Sequence, residues 1–379
     1  MSAVEERTEG LDFALGPDLG ELRRLAERIL ADRAGVDRVR HVEESEGGFD
    51  ADLWSRLADA GLLAAPVTEE AGGAGLGMLG LTTLLEQQGR RVAPLPLAEV
   101  LAGAALPIAR WGTADQQSRW LPGILGGDLL VTSAYDETAG TLTAEQVADG
   151  WVVSGRLAAV AAAPLAGAVV TPARTPDGTV VLVVPLDGDG VSVAPVAATD
   201  RRSCGAVSFT RAAGSPLGDD GAVVAAWTRR RLRVALAAVQ LGVCEEALAT
   251  TSAYVSQRVQ FGRPISTNQA VAVRAADAYL DTEAVRLTAQ HAAWLLDRGD
   301  EDAAEPASLV AKHWACAGGL RVVHATQHLH GGIGADVDYP IHRYFLWGRQ
   351  GAFALGSAGA VAAALGDRLP TAPRIGAAE

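Results

Sequence analysis

The sequence predicts an α+β fold in which a helical region, a mainly antiparallel β region and a second helical region follow one another. Apolar residues recur at helical spacing over 17–122 and again over 222–369. Between these regions, over 126–218, the pattern changes to short β-rich runs separated by Asp-Gly turns. A chain of 379 residues has room for two or three domains. We therefore expect an N-terminal helical domain over 1–125, a middle β domain over 126–218 and a C-terminal helical domain over 219–379.

The N-terminal helical pattern is carried by leucines three or four residues apart. Leu19, Leu22 and Leu25 begin it, and that spacing places them on one face of a helix. Glycines within 72–77 and prolines within 94–96 interrupt the pattern. They predict turns between helices and not a phosphate-binding loop.

Five runs rich in β-branched residues predict the strands of the middle region. These runs are Trp151–Val153, Ala168–Val170, Val180–Val184, Val191–Val193 and Ala206–Phe209. Tight turns are predicted at Asp149-Gly150, Asp177-Gly178 and Asp187-Gly188. After this region, long helical patterns return through Leu232, over 271–296 and over 307–328.

Composition and charge exclude several classes of partner and several cellular locations. The chain has 32 basic and 45 acidic residues, a net charge of −13, which opposes binding to nucleic acid. The N-terminal residues are acidic and lack an apolar signal segment, and no uninterrupted apolar run has the length of a membrane span. The three cysteines are widely spaced in apolar surroundings, which fits a reducing compartment. We expect a cytoplasmic protein that is neither secreted nor inserted in a membrane.

Two motifs in the C-terminal region carry the functional interpretation. The first, Arg258-Val259-Gln260-Phe261-Gly262-Arg263-Pro264-Ile265, stands between two long helices. A helix end explains Gly262 and Pro264 but requires neither Arg258 nor Gln260. The second, His330-Gly331-Gly332-Ile333-Gly334, offers glycines whose backbone amides can approach a phosphate closely. Taken alone, that second motif is more often a plain loop than a nucleotide site.

Together, in this α-β-α order, the two motifs closely resemble the acyl-CoA dehydrogenase family, over essentially the whole chain. Further segments resemble family motifs: Pro66–Gly75, Glu86–Arg90, Gly155-Arg156 and Asp338–Pro340. The resemblance implies an N-terminal helical domain, a middle β domain and a C-terminal four-helix bundle. It also implies FAD as cofactor and an acyl-CoA thioester as substrate.

The resemblance assigns cofactor-binding roles to both motifs. It implies that Arg258 binds the FAD pyrophosphate of a neighbouring subunit, where a guanidinium suits phosphate oxygens. His328 stands where family members usually carry a glutamine. The full set of cofactor-binding residues that the resemblance implies is Arg258, Gln260, Phe261, His328, Gly331, Gly332 and Gly334.

The catalytic base of the family is missing from the sequence. Family members oxidise the Cα–Cβ bond of an acyl thioester, with a glutamate as the base that removes the α-proton and FAD as the hydride acceptor. The usual position of that glutamate is occupied by Leu355, and an alternative position, just before Arg233, is occupied by Leu232. Leucine cannot move a proton, so we expect no catalytic residue in this chain.

Two flavin-contact segments of the family are also altered. Ser133–Glu137 replaces a Thr-Glu-Pro loop, and Ala159–Ala161 replaces a Trp-Ile-Thr/Ser stretch that covers the flavin. Carboxylates elsewhere could stand in for the base, although structural roles are the stronger expectation for each. These candidates are Asp336, Asp338, Glu245 and Glu246.

The retained and missing features together predict a subunit that supports the FAD of a paralogous partner, in an α2β2 assembly. Some actinobacterial acyl-CoA dehydrogenases acting on steroid-derived CoA thioesters resemble this arrangement. Two alternatives stay open: a self-sufficient homotetramer with an unrecognised base, and a catalytically inactive scaffold protein. The histidines over 324–342 are clustered in sequence, but they lack carboxylates or cysteines at ligand spacing, so no metal site is expected.

Overall fold

The N-terminal region is an assembly of helices. The computed structural model describes residues 16–136, 140–148 and 150–368. The helices are α1 (Pro17–Arg33), α2 (Val36–Ser45), α3 (Ala51–Asp59), α4 (Gly77–Arg91), a π-helix (Ala98–Ala105), α5 (Leu106–Trp111) and α6 (Ala114–Leu125). Asp50 caps α3, and Thr113 with Gln116 forms a capping box on α6, so side chains satisfy the first backbone amides of both helices.

A seven-stranded sheet forms the middle region. Its strands are β1 (Val131–Ser133), β2 (Leu142–Val147), β3 (Gly150–Ala161), β4 (Ala168–Thr175), β5 (Gly178–Pro185), β6 (Val191–Pro195) and β7 (Cys204–Pro216). The strand order is β1-β4-β2-β3-β7-β5, with β6 paired to β7. Pairing is mainly antiparallel, and only β1 and β2 pair with β4 in parallel. Register shifts between β3 and β7 mark β-bulges, one of them next to Val160.

Long helices build the C-terminal region. They are α7 (Gly221–Gln257), α8 (Gln269–Asp297), α9 (Glu301–His330), α10 (Ile341–Gly351) and α11 (Ala358–Gly366). Asp220, Asn268 and Asp300 cap the first three through backbone amides. The fold class predicted from sequence is confirmed: helices, then a β region, then helices.

One continuous apolar core joins the three regions. Leu81 of α4, Val183 of β5 and Val234 of α7 belong to the same buried cluster. A buried ion pair reinforces the junction, because the Glu43 carboxylate lies 3.1 Å from Arg343 Nε and 3.2 Å from Arg201 Nη1. The helical walls and the sheet therefore hold fixed positions around the cavity described below.

The structure adds elements that the sequence patterns did not reveal. Strands β1 and β2 lie outside the predicted runs, and the segment after Pro96 is partly a π-helix. A short hairpin, β8 (Val259–Gln260) with β9 (Arg263–Pro264), follows α7 where a plain helix end was one alternative. The predicted turn at Asp149-Gly150 lies partly outside the described residues. No helix among the described residues is long and apolar enough to cross a membrane.

Candidate active site and cofactor edge

A cavity of about 370 Å³ opens where the β region meets the C-terminal helices. Its walls come from the loop after β1, the end of β3, the loop before β7, the middle of α7 and the turn after α10. The π-helix contributes Glu99, whose backbone oxygen accepts a 2.7 Å hydrogen bond from Ser133 Oγ. These elements bring together segments that are more than 200 residues apart in sequence, as at Asp136 and Leu355.

All four altered features of the sequence meet in this cavity. Leu355 and Leu232, which the resemblance places at the two base positions, both line it, as do Ala159 and Ala161. Leu355 has φ of +58°, and its backbone N–H donates a 2.9 Å hydrogen bond to Asp136 Oδ2. The left-handed backbone of a leucine is unfavourable, so this turn is held by its surroundings.

One end of the cavity carries a charged cluster. Arg202 Nε donates to Asp200 Oδ2 at 2.8 Å, and its Nη1 lies 3.2 Å from Glu99. The guanidinium also lies over the Trp347 ring, 5.1 Å from the centroid. Burial acts to lower the pKa of Arg202, but Asp200 and Glu99 outweigh it and raise that pKa above its usual range. Both carboxylates are therefore engaged by a fixed cation.

The four carboxylates considered as substitute bases, for which structural roles were the stronger expectation, do not line this cavity. Glu245 is buried against Arg90 and Arg286, and Glu246 faces Arg90 at 3.5 Å. Asp338 lies 3.3 Å from the Arg40 guanidinium, in the exposed segment that also holds Asp336. The carboxylates that do line the cavity are Glu99, Asp136 and Asp200. Sequence spacing did not show that these three carboxylates come together, since their proximity depends on the fold.

The first cofactor motif forms an exposed hairpin. Arg258 ends α7, with its N–H donating to Tyr254 O, and its side chain is exposed. Gln260 Nε2 donates only to the neighbouring Val259 carbonyl oxygen. At the tip, Phe261 and Gly262 have φ of +52° and +75°, the signs of a type I′ turn. Phe261 is 102 % exposed, although phenylalanine is usually buried.

The second cofactor motif closes the end of α9. Gly331 has φ of +66°, and Gly332 has open space where a side chain would stand. Gly334 is packed closely: a Cβ there would lie 2.5 Å from the Gln327 carbonyl oxygen. Gln327 Nε2 also donates to Gly334 O at 3.0 Å, which fixes the loop. His328 is exposed on the last turn of α9.

Tyr254 brings the two motifs next to each other, a contact that no sequence pattern predicted. Its ring stacks on the His330 ring with centroids 4.5 Å apart, and its hydroxyl lies 3.5 Å from His330 O. Tyr254 is one helical turn before Arg258, and His330 immediately precedes Gly331. The hairpin and the glycine loop thus form one edge, the cofactor edge, defined by 258–263 and 328–334. None of its residues lines the cavity.

The clustered histidines have separate contacts. His330 Nδ1 faces Thr326 O at 2.8 Å, His342 Nδ1 faces Tyr339 O at 2.7 Å, and His324 packs edge-on against Phe345. Burial lowers the pKa of both His330 and His342. Within the described ranges, no group of three or more potential metal-ligating side chains is found.

Comparison with known proteins shows to which protein family the chain belongs. Residues 17–128 match the family Acyl-CoA dehydrogenase, N-terminal domain, and residues 219–369 match Acyl-CoA dehydrogenase, C-terminal domain. The chain belongs to the acyl-CoA dehydrogenase family, as its motifs predicted. This is a family of oxidoreductases that act on CH–CH bonds, and FAD is its cofactor.

Individual relatives are similar over nearly their whole length. Acyl-CoA dehydrogenase FadE27 of Mycobacterium tuberculosis is 34% identical over 374 residues, covering 96% of this chain and 100% of the relative. A chain of the Tcur3481-Tcur3483 steroid ACAD, G363A variant, is 45% identical, with a TM-score of 0.89 over 94% of this chain and 99% of that one. A chain of the ChsE4-ChsE5 complex from Mycobacterium tuberculosis is 35% identical, with a TM-score of 0.91 over 96% and 100%.

Proposed function

We propose that this chain is the FAD-supporting subunit of a heteromeric acyl-CoA dehydrogenase, whose paralogous partner supplies the catalytic carboxylate. When bound, FAD supplies the hydride acceptor for oxidation of the acyl Cα–Cβ bond. In this proposal the cofactor edge faces the FAD of the partner. The assembly is α2β2 in the cytoplasm, and it acts on a bulky acyl-CoA of the steroid-derived type.

The observation that carries the proposal is the cavity, where apolar side chains stand at both base positions. Leu355 and Leu232 both line the cavity. Neither position therefore carries a carboxylate that could replace the one missing from the other. Glu99 and Asp200 are both held in ion pairs by the Arg202 guanidinium. A general base must reach the proton that it removes, and these two carboxylates already have a structural task.

The cofactor edge supports the other half of the proposal. Arg258 presents a guanidinium, whose planar donors suit phosphate oxygens. Gly334 permits the close backbone packing that a Cβ would block, and the open positions at Gly331 and Gly332 leave backbone amides accessible. This chemistry fits the diphosphate and ADP part of FAD, with Gln260, Phe261 and His328 as further contacts. The edge is directed outwards, as a role toward a neighbouring subunit requires.

The named relatives support the heteromer. The two similar structures that are described as the Tcur3481-Tcur3483 steroid ACAD and the ChsE4-ChsE5 complex each pair two gene products. Alanines at 159 and 161 leave room in the cavity wall, which is consistent with a large acyl group if this cavity contributes to substrate binding.

The decisive experiment is purification of the chain alone and after co-expression with a glutamate-bearing paralogue encoded nearby. We expect little flavin and no dehydrogenase activity in the isolated chain, and one FAD per heterodimer in an active complex. Flavin absorbance, native mass spectrometry and dye reduction with a steroid-derived acyl-CoA measure these quantities. An active homotetramer with one FAD per chain would contradict the proposal.

One observation favours a second candidate, the self-sufficient homotetramer. The Asp136 carboxylate lines the cavity and contacts the backbone N–H of Leu355, at the family's base position. If Asp136 is the base, Asp136→Asn abolishes activity of the chain alone. Under the heteromer proposal, the same substitution changes the activity of the complex by no more than about twofold, since asparagine keeps a side-chain oxygen that can accept from the Leu355 N–H.

A further inference from the structure

Lys312 is the only lysine in the chain, and it is fully buried. Its Nζ lies 2.9 Å from Gly351 O and 2.8 Å from the Sγ of Cys316, one helical turn later on α9. No carboxylate of the described residues pairs with it. Burying an ammonium group without a carboxylate is costly, so this amine occupies an unusual position.

The contact between the amine and the thiol is unusually short. A separation of 2.8 Å is ordinary for N–H···O hydrogen bonds, but sulfur is a larger atom and its contacts are longer. The chain contains a matched comparison on α7, where Gln240 and Cys244 have the same i, i+4 spacing and are also buried. There the amide nitrogen lies 3.8 Å from Sγ. The Lys312–Cys316 pair is therefore one ångström closer than an equivalent pair in the same fold.

We propose that Lys312 and Cys316 form a covalent modification site, in which oxidation inserts one oxygen atom to give an Nζ–O–Sγ cross-link. An inserted oxygen fits between atoms 2.8 Å apart with little movement, whereas a direct N–S bond would need a much closer approach. The cross-link also leaves an uncharged group at this buried position, where a charged amine would be costly.

The oxidant is hydrogen peroxide, which first converts the thiol to a sulfenic acid. In total, one N–H, one S–H and two peroxide O–O bonds break, and one N–O, one O–S and two O–H bonds form. Two molecules of peroxide are consumed: one oxygen atom enters the bridge, and the other three leave as water with the two hydrogens from lysine and cysteine. Written for the neutral amine, atoms and electrons balance without another reactant. Peroxide is small enough to reach the buried pair during local opening of the fold.

The cross-link would fix the turn that carries Leu355. Besides the contact from Lys312 to Gly351 O, Cys316 Sγ lies 3.6 Å from Gly356 O. The amine and thiol thus contact two backbone carbonyls of the turn whose Leu355 N–H donates to Asp136. The inference stands on this geometry alone and does not depend on the proposed heteromer.

Peroxide treatment of the folded protein, followed by trypsin and mass spectrometry, tests the proposal. Trypsin normally separates 299–312 from 313–321 by cutting after Lys312. We expect an uncut peptide 299–321 that is heavier by about 14 Da and reverts with dithiothreitol. The modified peptide should persist in Cys244→Ser and be absent from Cys316→Ser.

Two results would overturn the proposal. One is normal cleavage after Lys312 with Cys316 unmodified or carrying only added oxygens. The other is an uncut peptide that is lighter by about 2 Da, which indicates a direct N–S bond. Because the measurement is made on the unmodified sequence, it stays decisive even if a variant fails to fold. Cys204, which is partly exposed and has no lysine nearby, provides an internal reference for simple thiol oxidation.

Discussion

The cofactor edge and the cavity hold their side chains in opposite ways. At the edge, Phe261 is fully exposed on a left-handed backbone and Arg258 extends into solvent, an arrangement with no benefit to the isolated chain. In the cavity, Leu355 and Leu232 are packed, and Arg202 neutralises two carboxylates. Backbone strain that no interaction within the chain offsets indicates a function toward another molecule. Charges that neutralise each other inside the chain indicate a role in its stability. Under the heteromer proposal, the outward surface serves the partner subunit and the inward one serves the stability of the chain itself.

The largest effect that we expect comes from the cavity. Arg202→Met leaves Glu99 and Asp200 without their cation, and should lower the free energy of unfolding by about 3 kcal/mol. Chemical denaturation of the purified chain measures this loss. The control is Arg201→Met, which should cost less than about 1 kcal/mol because its partner Glu43 keeps Arg343. If Arg202→Met leaves the free energy of unfolding unchanged but abolishes the activity of the complex, the cavity is a catalytic site. The contrast between the cavity and the cofactor edge would then be lost.

A second effect tests the edge. Arg258→Ala removes charge-assisted hydrogen bonds to a phosphate and should weaken FAD binding by the complex about tenfold to a hundredfold. Flavin content after gel filtration, at several FAD concentrations, measures the affinity. Arg263→Ala is the matched control, since it removes the same charge from the other strand of the same hairpin. Equal losses in both variants would indicate general electrostatics instead of a specific contact.

A third effect concerns charge that is buried away from both regions. Burial, with repulsion from Glu245, raises the pKa of Glu86 to about 7 from an ordinary 4.5. The folded chain therefore binds more protons than the unfolded chain between these values, so this contribution to stability is complete below pH 4.5 and is lost as the pH rises through 7. Denaturation midpoints across this range should fall with increasing pH, and Glu86→Gln should flatten the slope. If Glu86→Gln keeps the full slope, another group causes it.

The smallest expected effect distinguishes backbone strain at Phe261 from its contact with the partner subunit. Phe261→Gly relieves a left-handed phenylalanine, so the free energy of unfolding of the isolated chain should stay level or rise by up to about 1 kcal/mol. The same change should weaken assembly with the partner, measured by titration in native mass spectrometry. Phe261→Ala, which keeps a Cβ, should weaken assembly without raising the free energy of unfolding of the isolated chain. Loss of stability in the glycine variant would show that Phe261 serves its own chain.

Patterns local in sequence predicted much of this molecule. The α-β-α order, the end of α7 near Arg258 and the glycine loop after α9 follow from spacing and from Gly and Pro. Strand β2, Leu-Thr-Ala-Glu-Gln-Val, was missed because polar residues interrupt it, and its place in the sheet depends on pairing with β3. The hairpin tip was missed because Phe-Gly is not a usual type I′ pair.

The interior of the site could not be predicted from sequence. Glu99, Asp136 and Arg202 come from three separate segments, and only packing of the π-helix, the β1 loop and the β7 loop brings them together. The short run Asp200-Arg201-Arg202 was the one available signal, since it places charge in an otherwise apolar region. It indicates neither which cation is buried nor which carboxylates it meets.

The exposed tip at Phe261 also makes the hairpin a natural cleavage site. Proteases that prefer aromatic residues cut at accessible loop tips, and this tip presents a bare phenyl ring beside a glycine. An unassembled chain would be nicked there into fragments ending at residue 261, while a chain docked on a partner would be shielded. Under the heteromer proposal, the same exposed ring would therefore make the unassembled chain the more protease-sensitive form.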